Sequence, residues 1–205
     1  MFESLPDIPR LFTALAEWGA ALVYVFVVAR SASSNALNPN AAIPGWRIAA
    51  AAVGGLVVLV GAQELLGRAP LSLWVPGMMT AYALVWCVIR VGTALDWRWV
   101  THMSARAFIV AELAASLAWQ VVVYSHADKP FWHPASLCGY TAISATCLAV
   151  VYVCERRVVR QGALPVLRLA DLASAVVIGI AIFALSNLSF ISTATPFSGR
   201  SGWEV

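Results

Sequence analysis

Glu17, Glu64, Glu112 and Asp171 lie within or against long apolar stretches of a 205-residue chain that is 61% hydrophobic and 11% charged. A carboxylate in such a setting is costly, so it marks either a ligand or proton site or a hydrogen bond between packed helices. Depth sorts these residues into two groups. Glu17, Glu64, Gln120 and Asn187 are expected to line one outward-facing polar pocket, walled by Trp18 and Trp119. Glu112 and Asp171 are expected in the inner half, near Arg90, Arg106 and Arg168, as buried polar or coupling groups. The plainer roles are snorkelling of Glu64 and Asp171 to the interface, interhelical bonding by Glu17 and Glu112, and simple packing by the two tryptophans.

Other chemistry is thin. His126, Asp128 and His133 share one irregular stretch, but without a second ligand pair they fall short of a zinc pattern, and no metal is expected. Cys87, Cys138, Cys147 and Cys154 contain no Cys-x-x-Cys spacing and read as reduced, small apolar fillers. No phosphate loop, nucleophile elbow or His-Glu-x-x-His helix occurs, so neither a catalytic residue nor a cofactor is expected. Asn187-Leu188-Ser189 fits a glycosylation sequon but lies too close to the bilayer for attachment.

The elements that must position these groups follow from hydropathy. Soluble domains are about 45 to 50% apolar and about 25% charged, and the mean hydropathy here is +0.81. Stretches 69–89, 130–154 and 172–199 are free of charge, each longer than the roughly 18 residues a span requires. Uninterrupted apolar runs argue for helices, since barrel strands alternate apolar and polar residues. The expected fold is all-α, a polytopic membrane protein, as a single domain over 1–205 with six transmembrane helices. Their expected bounds are 11–29, 48–66, 71–90, 107–125, 135–154 and 169–191. Pro76-Gly77 falls one turn into the third and predicts a kink or break there.

Arginine placement orients the bundle. Arg30, Arg47, Arg90, Arg98, Arg106, Arg156, Arg157, Arg160 and Arg168 fall on one side; Arg10, Arg68, Lys129 and Arg200 fall on the other. The richer side is cytoplasmic, which puts both termini outside. Met1 to Arg10 is net negative and holds two prolines, unlike a signal peptide, so it is expected to be retained. The net charge of +3 comes from segment ends and forms no basic face, against nucleic-acid binding. Trp46, Trp74, Trp97, Trp99, Trp132 and Trp203 stand near span ends as an aromatic belt. Small residues such as Ala111, Ala115 and Ala118 permit close helix contacts.

Several stretches resemble the membrane-embedded N-terminal half of bacterial sensor histidine kinases of the GHKL type. They are Leu5-Pro6-Asp7-Ile8-Pro9-Arg10 leading to Glu17-Trp18, Trp74-Val75-Pro76-Gly77-Met78, Ala111-Glu112-Leu113-Ala114-Ala115, and Phe183-Ala184-Leu185-Ser186-Asn187 followed by Thr195-Pro196-Phe197-Ser198-Gly199. The resemblance implies a sensory input domain in the bacterial cytoplasmic membrane, with a small-molecule or peptide ligand and a homodimer as partners beside the lipid bilayer. It also implies a kinase that follows. Family members continue through a further span into an ATPase domain, which this sequence lacks, so the expectation is a fragment, a truncated product or an independent relative without catalytic activity. The alternative is a small standalone transporter or permease subunit, motivated by Pro76-Gly77 and by acids in both membrane halves. A membrane enzyme ranks behind both, since no Glu and His pair at matched depth.

Overall fold

The computed structural model describes residues 8–34, 43–69, 73–125, 132–160 and 168–186, and every regular element among them is helical. Helix α1 is Arg10–Ser34. A composite helix follows, α2 Gly45–Ala49 passing through a π-helical turn at Ala50–Gly54 into α3 Gly55–Gly67. Then come α4 Trp74–Thr93, α5 Trp97–Ser125, α6 Pro134–Arg160 and α7 Leu169–Ser186. Arg10–Ser31, Gly45–Gly67, Val75–Thr93, Trp97–Ser125 and Pro134–Val158 are long and apolar enough to cross a membrane, and α7 carries a shorter apolar segment, Leu169–Ala181.

Successive helices run in alternate directions between two poles. At the first, Phe12 of α1 meets Tyr140 of α6 edge to face at 4.8 Å between ring centroids. Arg10 there lies against Gly67 at the end of α3. At the second pole Arg30 Nη1 donates to the Tyr152 hydroxyl at 3.4 Å. Arg47 of α2 also closes the end of α4 there, donating Nε–H to the Val91 carbonyl at 2.7 Å and Nη2–H to that of Arg90 at 3.2 Å. The Arg90 carbonyl also accepts the Ala94 N–H at 3.2 Å, so Arg47 adds donors to the last turn of α4, and a cation suits the negative end of its dipole.

Helix α1 is innermost, packing on α3, α4, α5 and α6, while α5 packs on α1, α4, α6 and α7. Their contact faces are built of small residues: Ala14, Ala16, Ala20 and Ala21 on α1, and Ala107, Ala111, Ala115 and Ala118 on α5, all buried. In hydrocarbon no hydrophobic gain separates side chains from lipid, so association rests on close backbone approach and dispersion. The outward faces are apolar too, with Val53, Leu65, Val150, Val177 and Ile180 exposed. Thr141 and Thr146 on α6 return their hydroxyls to Leu137 and Ala142 carbonyls at 2.9 and 2.7 Å, which satisfies them without water.

Three features depart from the sequence expectation. Helix α5 begins at Trp97, ten residues before 107, because Arg98, His102 and Arg106 break the apolar run without breaking the helix; long cations at a helix end can reach the interface. Helix α4 runs unbroken from Trp74, so Pro76 sits in its first turn, where the missing N–H has no intrahelical acceptor to lose. The irregularity lies instead at Ala50–Gly54, a run of small residues that tolerates a widened π turn. The last expected span, 169–191, reaches Ser186 in α7, and its final five residues lie outside the described residues.

Candidate functional site: two buried polar clusters on α1

The first cluster lies about two turns into α1. Glu17 is 1% exposed and Gln63 of α3 is fully buried. Gln63 Nε2 donates to Glu17 Oε1 at 2.8 Å. The second carboxylate oxygen of Glu17 and the amide oxygen of Gln63 are buried and have no hydrogen bond among the described residues. Glu112 of α5, half-buried, lies within electrostatic reach of Glu17, and Arg10 acts on both carboxylates. The arrangement thus gathers two acids, one cation and two unpaired acceptors, which suits a proton or a ligand that brings hydrogen-bond donors.

Trp18, the next residue on α1, points about 100° away from Glu17 and donates its indole N–H to the Ala52 carbonyl at 2.7 Å. Ala52 belongs to the π turn, where the regular i to i−4 pattern is interrupted. The Ala52 carbonyl also accepts a backbone N–H at the end of this turn, so the indole adds a second donor and ties α1 to it. Helix α4 approaches the π turn and α1 closely: a Cβ on Gly92 would stand 3.1 Å from that of Ala51 and 2.7 Å from Val25 Cγ2.

The second cluster lies toward the opposite pole. Tyr24 of α1 donates its hydroxyl to Glu155 Oε1 of α6 at 3.2 Å, and Arg106 of α5 forms an ion pair with the same oxygen. Glu155 is 6% exposed, whereas the Arg106 side chain is 44% exposed. Tyr24 follows Glu17 by seven residues, two helical turns or roughly 10 Å, so both clusters hang on one stripe of α1.

The expected pocket is rearranged. Glu17 meets Gln63 and not Glu64, which is exposed; one residue turns the side chain about 100° on the helix. Gln120 is exposed on α5, while its neighbour Trp119 is buried with Phe12, Val122 and Tyr140 in a satellite core. Asn187 lies outside the described residues. Glu112 lies within electrostatic reach of Glu17 and Arg10, whereas Asp171 accepts the Arg168 backbone N–H at 3.1 Å as the cap of α7. Sequence reasoning missed Gln63, Tyr24 and Glu155. For Glu155 a signal existed: Tyr140, Ser144, Leu148 and Glu155 recur at helical spacing on α6, a stripe whose Tyr140 and Leu148 pack into the core. No group of three or more metal-ligating side chains occurs among the described residues, and His126 and Asp128 lie outside them. Comparison of the chain with protein-family models, with curated proteins and with solved structures finds no match.

Proposed function

We propose that the chain is a sensory input module of six membrane-spanning helices, α7 being the sixth, that passes a ligand or membrane signal through the packing of α1. The observation that carries this reading is the placement of Glu17 and Tyr24 on one stripe of one helix. A group that draws Glu17 from Gln63 turns or slides α1 and thereby loads the Tyr24, Glu155 and Arg106 contacts at the other pole. That is coupling through a rigid element with two arrangements. The resemblance to sensor kinases supports the same reading, with the arginine-rich pole cytoplasmic and the module dimeric in a bacterial cytoplasmic membrane. The unpaired acceptors of Glu17 and Gln63 favour a small molecule or peptide that presents donors. The test joins the chain, through one further span, to an active histidine kinase and introduces Glu17→Gln. Altered signalling at unchanged expression supports the proposal, and unchanged signalling overturns it.

A small transporter is the second reading, favoured by the buried or half-buried acids Glu17, Glu112 and Glu155 distributed along the α1, α5 and α6 contacts. Such a series could relay a proton or cation. Proton-driven uptake in proteoliposomes that Glu17→Gln and Glu112→Gln abolish would support it; uptake indifferent to both would remove it.

A further inference from the structure

Helices α4 and α7 both pack on α5, and between them lies an apolar cleft of about 140 Å³ lined by Met78, Tyr82, Ala105, Phe108, Val176 and Gly179. Its size is close to that of an engineered apolar cavity of about 150 Å³ that stays dry and takes up a benzene-sized hydrocarbon. The one hydroxyl in this wall is committed inward, Tyr82 donating to the Thr101 carbonyl at 3.4 Å. The Tyr82 and Phe108 rings meet edge to face at 5.8 Å, a fixed aromatic wall. Each lining helix also carries an exposed arginine toward the second pole: Arg90 on α4, Arg98 on α5 and Arg168 at the head of α7. Their register ties them to the cleft. Arg90 follows the cleft residue Met79 by eleven positions and Arg168 precedes Gly179 by eleven, while Arg98 precedes Ala105 by seven. At 100° per residue both spacings return to within about 20° of the same direction, with a rise of roughly 10 to 16 Å.

Two acids stand beside these arginines as helix caps, Asp96 accepting the Arg98 backbone N–H at 3.2 Å and Asp171 that of Arg168 at 3.1 Å. Both sit at helix N-termini, where the dipole favours them. A row of cations above an apolar slot, separated by part of an acyl chain's length, matches one class of ligand in charge and in shape. We propose that this cleft is a binding site for an anionic phospholipid, its phosphate on Arg90, Arg98 and Arg168 and one acyl chain in the slot between α4 and α7.

The test offers the full chain, in detergent, equal amounts of dioleoyl phosphatidylglycerol and dioleoyl phosphatidylcholine and reads bound lipid by native mass spectrometry. The anionic lipid should be retained in roughly tenfold excess, since each cation near an anionic lipid contributes a several-fold preference. Replacing all three arginines by glutamine, R90Q/R98Q/R168Q, should remove that preference. Gly179→Leu should remove retention of both lipids; among the described residues a Cβ there meets only Ile109 Cδ1, at 3.9 Å, an ordinary van der Waals contact. Circular dichroism of both variants checks that the helices persist. Equal retention of the two lipids overturns the proposal. So does a preference that survives the arginine changes, or a lipid-free dimer that Gly179→Leu dissociates, which would assign the cleft to a second copy.

Discussion

Glu17 and Glu155 are both buried carboxylates that touch α1 or belong to it, yet their partners differ in kind. Glu155 divides one oxygen between the Arg106 guanidinium and the Tyr24 hydroxyl, whereas Glu17 meets a neutral amide through one oxygen and leaves the other unpaired. A buried charge with a counter-cation is balanced where it stands, and withdrawing the cation leaves it uncompensated. A carboxyl facing an amide is incomplete, and what reaches it changes its bonding. Under the proposed function this difference divides labour along α1: the Glu155 end would fix the bundle, and the Glu17 end would respond.

The largest effect that sharpens this contrast is expected at Arg106. Arg106→Ala should destabilise the bundle by about 2 kcal/mol, less than the roughly 3 to 5 kcal/mol of a wholly buried pair, because its side chain is 44% exposed and partly screened by solvent. Thermal unfolding in detergent, followed by tryptophan fluorescence, reads the change. A loss below that of Glu17→Ala would reverse the assignment of the two ends.

Glu17→Ala comes next, at about 1 to 2 kcal/mol, since the Gln63 amide then keeps a buried donor without its acceptor. Glu17→Gln retains an acceptor at the same position and should cost well under that. Comparing the two by the same unfolding assay separates the hydrogen bond from the charge. If Glu17→Gln destabilises as much as Arg106→Ala, the charge of Glu17 is structural and the contrast fails.

The sequence made the helical class and most spans legible because charge-free runs such as 69–89 and 130–154 leave the backbone only its own carbonyls to bond. It made the partners less legible. Glu17 and Glu112 are conspicuous as acids in apolar runs, but whether Gln63 or Glu64 turns toward them depends on a 100° rotation that hydropathy does not fix. Arg98 and Arg106 concealed the first ten residues of α5, and with them the cation that pairs with Glu155. Glu155 itself was hidden by its neighbours Arg156 and Arg157, which mark a membrane boundary while the helix continues to Arg160. The π turn at Ala50–Gly54 left no mark, since alanine, valine and glycine serve a regular turn as readily.

Tyr24→Phe should cost about 0.6 kcal/mol, the usual size of a hydrogen bond between membrane helices, because Arg106 still balances Glu155. Its ion pair should survive, so unfolding of this variant should remain sensitive to a further Arg106→Ala change. Loss of that sensitivity would make Tyr24, and not the guanidinium, the holder of the second cluster.

The smallest effect bears most directly on the proposed signalling role. Tyr24 and Glu17 lie roughly 10 Å apart along α1, a separation at which independent substitutions add to within about 0.3 to 0.5 kcal/mol. If α1 moves as one rod, relaxing its hold at Glu17 alters the geometry in which Tyr24 reaches Glu155, and the double variant Glu17→Gln with Tyr24→Phe should depart from additivity by more than about 0.5 kcal/mol. A cycle of four proteins, wild type, each single variant and the double, measured by unfolding under one detergent condition, yields this coupling. Strict additivity would leave the clusters as two unrelated clasps on a shared helix and would withdraw the physical basis for carrying a signal from one pole to the other.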